Sequence, residues 1–357
     1  MVALSGGVDS STAAALLVQS GYTVSAVMMR LWATRYQGEL PDNRCCSRAA
    51  VEDARRVCDM LHIPFHLVNL EEEFKAKVVD YFCDTYATGR TPNPCLACNR
   101  WIKFGALLRS ALDLGGDYLA TGHYARIRSS NGQYHLLKGI DRHKDQSYVL
   151  YMLGQEELPL LLFPLGDLTK KQVRAMAERH KLPVADRAES QDACFVSDGD
   201  YRTFLAGQRP ATHRPGPILD LEGRALGEHH GIAFFTVGQR QGLGIAARHP
   251  LYVVQIDSMR NALIVGPRAA VLRRELLAEE VCFVAGRPPP QPISITVKIR
   301  YRAEEALATL IPMPGRMARV TFANPQAAVT PGQAAVFYQD DVVLGGGIIG
   351  SAGTLEV

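Results

Sequence analysis

The sequence predicts an α/β protein built from a helix-covered parallel sheet, a smaller α+β piece and a small β-barrel or sandwich. Three observations carry this. The chain has 357 residues, and at roughly 150 residues per domain that length argues for two or three domains. Residues 1–125 alternate short β-like runs with helical patterns, the mark of a parallel sheet covered on both faces. From about residue 215 glycine and proline become frequent and β runs replace long helices.

Val2–Leu4 is a short apolar run. Ser10–Ser20 is rich in Ala and Leu, starts on a serine and is followed by Gly21, so a helix is predicted there. Val24–Leu31 reads as a strand, and Ser47–Leu61 as a helix that stops before Pro64. Phe65–Leu70 is the next strand, followed by helices over Glu72–Tyr86 and Ile102–Leu114 and a strand at Tyr118–Thr121. Ligands in such sheets bind at the carboxyl ends of the strands. Further on, Ile293–Tyr301, Arg319–Phe322 and Ala334–Tyr338 read as strands of the last domain. The run Arg287-Pro288-Pro289-Pro290-Gln291-Pro292 reads as a stiff connector.

Composition excludes several classes. Hydrophobic residues at 47% and charged residues at 21% rule against disorder, collagen and coiled coil. No stretch approaches the roughly 18 uninterrupted apolar residues of a membrane helix. The opening MVALSGG has no basic segment and no Arg-rich transit peptide is present, so a cytoplasmic protein with no membrane partner is expected. A net charge of +3 neither demands nor excludes a nucleic-acid partner. Eight cysteines (Cys45, Cys46, Cys58, Cys83, Cys95, Cys98, Cys194, Cys282) in such a chain are expected to be reduced, acting where they matter as thiolates or metal ligands.

The first motif is Leu4-Ser5-Gly6-Gly7-Val8-Asp9-Ser10-Ser11, between the first β run and the first helix. Two glycines let the backbone curl so that N–H groups point inward, and the helix N-terminus adds a positive dipole. Ser5, Ser10 and Ser11 supply hydroxyls. Asp9 beside a phosphate implies a bound metal or a role in orienting the loop. The chain holds no G-x-x-x-x-G-K-[ST], so phosphate charge must be met by Mg²⁺ or by remote basic residues. This string resembles the loop of the PP-loop ATP pyrophosphatases, which grips ATP. Thr121-Gly122-His123-Tyr124, at the end of a later strand, fits the same cleft.

The second motif is Arg90-Thr91-Pro92-Asn93-Pro94-Cys95-Leu96-Ala97-Cys98-Asn99. Its prolines stiffen a loop that places Cys98 at or just before a helix start, with Arg100 and Lys103 following; both features favour a thiolate. Cys95-x-x-Cys98 also reads as half a zinc site, without a second C-x-x-C or H-x₃₋₅-H to complete it, or as a buried structural pair. Cys194, in Glu189-Ser190-Gln191-Asp192-Ala193-Cys194-Phe195, taken alone reads as a small hydrophobe. Gly242-Leu243-Gly244-Ile245-Ala246-Ala247 matches G-x-G-x-x-A, but Pro250 follows and no long helix opens, so a dinucleotide site is not expected. Cys45 and Cys46 pack, bind metal or have no role.

Taken together, S-G-G-V-D-S-S, T-P-N-P-C-x-x-C-N, T-G-H-Y, Lys144-Asp145-Gln146-Ser147-Tyr148 and S-Q-D-x-C-F stand in one order that resembles the bacterial tRNA-specific 2-thiouridylases. The resemblance runs nearly the full length, through Phe235–Gly244 and Arg300-Tyr301. It implies a PP-loop catalytic domain at 1–200, a small central domain at 201–277 and a C-terminal β-barrel at 278–357 that contacts tRNA. It implies ATP with Mg²⁺ bound by Ala3, Leu4, Ser5, Gly6, Gly7, Val8, Asp9, Ser10, Ser11, Met29 and Gly122; Met29 reads equally as a core methionine. Cys194 becomes the persulfide carrier and Cys98 the second catalytic cysteine. Asn93, Pro94, Cys95, His123, Lys144, Asp145, Gln146, Arg300, Tyr301 and Gln333 become tRNA contacts. The implied partners are the tRNA anticodon stem-loop and a persulfide donor such as a cysteine desulfurase or sulfur-relay protein. Two departures stand out. Only four residues precede Ser5, which shortens the first strand, and Cys95 stands where some members carry a carboxylate. The competing readings are another PP-loop ligase, separated by cysteine-independent activity, and a non-catalytic zinc-stabilised RNA-binding protein, separated by stoichiometric zinc without ATP cleavage.

Overall fold

The computed structural model describes residues 1–32, 47–184, 194–196 and 200–352. Cys45, Cys46 and most of the string around Cys194 lie outside them. The first domain is built on β1 (Val2–Leu4), α1 (Val8–Gln19), β2 (Ala26–Arg30), α2 (Arg48–Leu61), β3 (Phe65–Asn69) and β4 (Leu119–Ala120). The strands run parallel in the order β3–β2–β1–β4, with Leu161–Leu162 added beyond β4. Helix α1 buries Ala13, Ala14, Ala15 and Leu17; small side chains let it approach the sheet closely. Ser47 caps α2 through its hydroxyl, which accepts from the Ala50 N–H at 3.0 Å, and His62 ends it in the left-handed conformation.

Two long helical rods follow. Glu71–Phe74, Lys75–Asp80 and Tyr81–Ala87 run on as one rod whose middle widens to π geometry. Pro94–Ala97, Cys98–Leu107 and Leu108–Asp113 form the second, again with a π centre. Such widened turns are frequent at functional sites. The rods share one core, in which Phe74, Val78 and Val79 meet Leu96 and Ile102, and Lys77 lies 5.7 Å over the Trp101 ring. The second rod starts earlier than the apolar spacing predicts. Asn93 caps it by accepting from the Cys95 N–H, and Pro94 takes the first helical position. Cys98 is therefore a full turn inside the helix, and Cys95 occupies the first turn.

The middle domain is a four-stranded sheet in the order Tyr252–Asp257, Ala262–Gly266, Gly216–Leu219, Ala225–His229. The G-x-G-x-x-A segment beside it is neither strand nor helix. The last domain is a barrel rather than a sandwich. Leu272–Phe283, Met317–Ala327, Ala306–Met313, Ile293–Lys298, Ala334–Gln339 and Val342–Ala352 pair in succession, and the last pairs back with the first. The predicted strand Ile293–Tyr301 stops at Lys298, and Arg300-Tyr301 fall in a turn closed by the Ala303 N–H on the Arg300 carbonyl at 3.1 Å. A hairpin of the first domain, Ala125–Ser130 with Gln133–Lys138, joins the barrel sheet through Leu137 opposite Val342. No described helix is long and apolar enough to cross a membrane.

Candidate active site

The carboxyl ends of three strands build the first half of the site. Leu4 is in register with Met28 and Val2 with Ala120, so Ser5, Met29 and Thr121 all emerge on one edge. Ala3 and Leu4 belong to β1, Ser5–Gly7 form the loop, and Val8–Ser11 are the first turn of α1. Gly6 has φ +67°, and a Cβ there would stand 2.7 Å from the Ala50 carbonyl oxygen, so only glycine fits. The loop is tied by its own serines. The Ser5 N–H reaches Ser10 Oγ at 3.2 Å, and Ser10 and Ser11 donate to the Gly7 carbonyl at 3.2 and 2.9 Å. Met29 is half-buried against the main core.

Asp9 is the hub. Its Oδ1 accepts from the Tyr124 hydroxyl at 2.7 Å, and Lys170 Nζ donates to both carboxylate oxygens at 2.7 and 2.8 Å. Thr121–Tyr124 thus meets the phosphate loop as expected. Gly122 lies so close to the start of α1 that a Cβ would sit 2.8 Å from the Ser10 nitrogen. His123 turns inward: its Nδ1 is hydrogen-bonded to Thr121 Oγ1 at 2.7 Å, and its ring lies 5.6 Å from Phe104 and 5.9 Å from Phe163. Burial, aided by Lys103, holds it well below the usual imidazole range, so it is neutral at pH 7.

The second half gathers around the cysteine rod. Cys95 is exposed and Cys98 half-buried. Next to Cys98, the buried Asn99 donates to the Val149 carbonyl at 2.9 Å, locking the rod to the Lys144–Tyr148 string. Within that string Asp145 is buried. Its Oδ1 accepts from the Gly139 and Ser147 N–H groups and its Oδ2 from the Ser147 hydroxyl. Gln146 Oε1 accepts from the Tyr124 N–H at 3.0 Å, linking this string to the Asp9 hub. Lys144 is half-buried beside it. From the barrel, Tyr301 sets its ring 5.9 Å from Tyr148, with Arg300 exposed beside it. Gln333 donates to the Thr91 and Pro92 carbonyls at 3.1 and 3.2 Å, fixing the loop that leads to Asn93, Pro94 and Cys95. Arg100 pairs with Glu280 of the barrel at 3.2 Å, which offsets the positive charge expected to act on Cys98.

Cys194 is half-buried on the same core as Cys98. Its neighbour Phe195 is its anchor, with ring centroids 5.9 Å from Phe74, 5.2 Å from Phe82 and 5.3 Å from Phe204. Phe74 and Phe82 belong to the first rod. Cys194 is thus seated on one rod, while Cys98 is carried by the rod packed against it.

Sequence reasoning missed Lys170, Tyr124 as a ligand of Asp9, and Asn99. Only Lys170 left a local signal, as a lysine at the first position of the Lys170–Arg179 helix, where a cation opposes the dipole.

Comparison with known proteins agrees with this layout. A family model described as the tRNA methyl transferase HUP domain matches residues 1–198. The tRNA methyl transferase PRC-barrel domain matches 202–267, and the aminomethyltransferase beta-barrel domain matches 273–349. The tRNA-specific 2-thiouridylase MnmA of Roseiflexus sp. (strain RS-1) is 52% identical over 367 residues, covering 98% of each chain. That of Moorella thermoacetica is 51% identical over 353 residues, covering 98% of this chain and 99% of its own. At this identity over nearly the whole length, the chain belongs to the tRNA-specific 2-thiouridylase family.

Proposed function

We propose that this protein uses ATP to replace the 2-oxygen of the wobble uridine of a tRNA anticodon with sulfur. The observation that carries the reading is the convergence on Asp9. The phosphate loop, Tyr124 and, through Gln146, the string that holds the cysteine rod are joined there by hydrogen bonds.

The 2-oxygen of uridine is a poor leaving group. Its attack on the α-phosphorus of ATP releases pyrophosphate and makes an adenylate, which leaves as AMP when sulfur attacks the same carbon. The loop N–H groups and the start of α1 hold the phosphates. Asp9 is the loop's carboxylate, partly exposed and held by Lys170 and Tyr124. Mg²⁺ takes one or two carboxylates together with phosphate oxygens, so Asp9 is the residue that would hold it, and the ion would supply charge neutralisation. Cys194 carries the persulfide, loaded by a sulfur-donor protein. In one route the terminal sulfur attacks the base, and Cys98 then attacks the Cys194 sulfur, releasing the thiolated base. In the other, Cys98 attacks first and frees sulfide as the nucleophile. Both leave a Cys98–Cys194 disulfide that an external thiol must reduce. The anticodon base is single-stranded and can be turned outward into the site. Asn93, Pro94, Cys95, Lys144, Arg300 and Tyr301 line its approach, while Asp145, Gln146, His123 and Gln333 shape that surface from behind.

The test is incubation with ATP, sulfide and unmodified tRNA, followed by mass analysis of the nucleosides. 2-Thiouridine at the wobble position, with AMP and pyrophosphate as co-products, is expected; ADP and phosphate as the main products would overturn the reading. Asp9→Asn is expected to slow pyrophosphate release while leaving tRNA affinity unchanged, since tRNA contacts lie elsewhere. Replacing Arg300 and Tyr301 together by Ala is expected to weaken tRNA binding and lower its salt slope by about one, the loss of one phosphate contact. An unchanged slope in a salt titration would remove this turn from the tRNA surface.

A further inference from the structure

No lysine, arginine or histidine occurs before Arg30, so the phosphate loop has no cation of its own. Arg30 is committed to Glu71 at 2.8 Å. Arg48 opens α2, whose Ala50 abuts Gly6, but its side chain is 94% exposed and paired with Glu52. Lys170 is different. Its side chain is 11% exposed, and its ammonium bridges both oxygens of Asp9, two residues past the glycine that caps α1.

The fold alone does not call for a cation there. The helix that Lys170 begins is already capped by Thr169 and Gln172 through reciprocal hydrogen bonds. A lysine at a helix's first position faces the positive end of the dipole, and burying an ammonium adds a desolvation cost. Asp141 Oδ2 accepts the Lys170 backbone N–H at 2.9 Å, which fixes the base of the side chain. The stem passes the Tyr124 ring, with Nζ 5.9 Å from its centroid, and Tyr124 holds the same carboxylate. The ammonium is thus aimed from a distant helix at the place where loop N–H groups and the α1 dipole collect anions.

We propose that Lys170 is the phosphate-binding lysine of this site. It binds the polyphosphate of ATP, its stem aimed at the loop from the Asp141-held helix start and past the Tyr124 ring, and Asp9 pairs with its ammonium until the nucleotide arrives. A lysine acting from outside the loop, 161 positions away in sequence, replaces the one that a Walker loop carries within itself. This rests on the ATP reading above, so the experiment separates the two.

ATP and adenosine affinities are measured by calorimetry on the full-length wild type, Asp9→Asn, and the Asp9→Asn/Lys170→Met double variant. Asp9→Asn removes the charge that Lys170→Met alone would strand, so the double variant keeps the fold. Binding of ATP by the wild type tests the ATP reading. The proposal is tested by the other two: the double variant is expected to bind ATP at least tenfold more weakly than Asp9→Asn, with adenosine affinity equal in both. Restoration by Asp9→Asn/Lys170→Arg would add support. Equal ATP affinity in Asp9→Asn and the double variant would show that Lys170 acts only through Asp9 and overturn the proposal. Parallel loss of ATP and adenosine would overturn it as well, because the defect would then not be specific to phosphate.

Discussion

Cys194→Ser and Cys98→Ser are each expected to abolish tRNA thiolation while leaving ATP and tRNA binding intact. The two variants part company one step earlier. Cys194→Ser has no thiol to load, so no persulfide forms. Cys98→Ser still accepts a persulfide on Cys194, because loading requires only the carrier thiol. The geometry supports the pairing: Phe195 pins Cys194 to the rod that packs against the one carrying Cys98. The other described thiols are poor candidates. Burial pushes Cys58, Cys83 and Cys282 up to about 11, so they stay protonated and unreactive at neutral pH. Their replacement by serine, and that of Cys45 and Cys46, is expected to leave the chemistry unchanged. Cys95→Ser should give a partial loss, since Cys95 is exposed in the first helical turn. The measurement is mass spectrometry of each variant after exposure to a persulfide donor, paired with a count of thiolated tRNA. Full thiolation by Cys98→Ser or Cys194→Ser would end the two-cysteine mechanism and return the zinc and structural readings.

Gly122→Ala is expected to cut thiolation by about a hundredfold, the scale on which small displacements of a reacting group act. The added Cβ would stand 2.8 Å from the Ser10 nitrogen and 2.9 Å from the Asp9 carbonyl carbon. Both are backbone atoms in the first turn of α1, so no side-chain rotation relieves the contact, and the helix start must move. That movement shifts Asp9 away from Tyr124 and opens the ring of serine contacts around Gly7. Gly21→Ala is the control. It also lies beside α1, at φ +83°, but a Cβ there meets nothing within 4 Å. It should lower the melting temperature through backbone strain alone and leave ATP affinity as it is. Equal ATP affinity in Gly122→Ala and Gly21→Ala would mean that Gly122 does not shape the phosphate loop.

The parts of the site that could be read in the sequence are those specified locally. Ser5–Ser11 announces itself because glycine, serine and a strand–helix junction are neighbours in the chain. Ser47 and Asn93 are both cap residues, and the apolar spacing places a helix start at Ser47 alone. At Asn93 the apolar spacing pointed to a later start, because the first turn carries Pro94 and Cys95 rather than a periodic apolar face. The widened turns in the two rods left no signal, since π geometry depends on what packs around the rod. Lys170 and Asn99 stayed hidden for a different reason: each acts on a group more than a motif's length away, Asp9 in one case and the Val149 carbonyl in the other. The barrel was legible as β runs, but not its closure. Nor was the hairpin that crosses into it, because a pairing such as Leu137 with Val342 has no local cause.

That crossing hairpin makes two domains depend on a single strand. Val342–Ala352 closes the barrel against Leu272–Phe283 and also receives Leu137, so this one strand completes a pairing begun more than two hundred residues earlier in the chain. Until it emerges, the hairpin and the barrel's first strand each keep an unpaired edge, the kind of surface that templates aggregation. A message cut short before Val342 therefore yields a chain whose phosphate loop is complete but whose barrel is unclosed. Such a fragment would present open strands to chaperones and proteases instead of competing with the intact enzyme for tRNA.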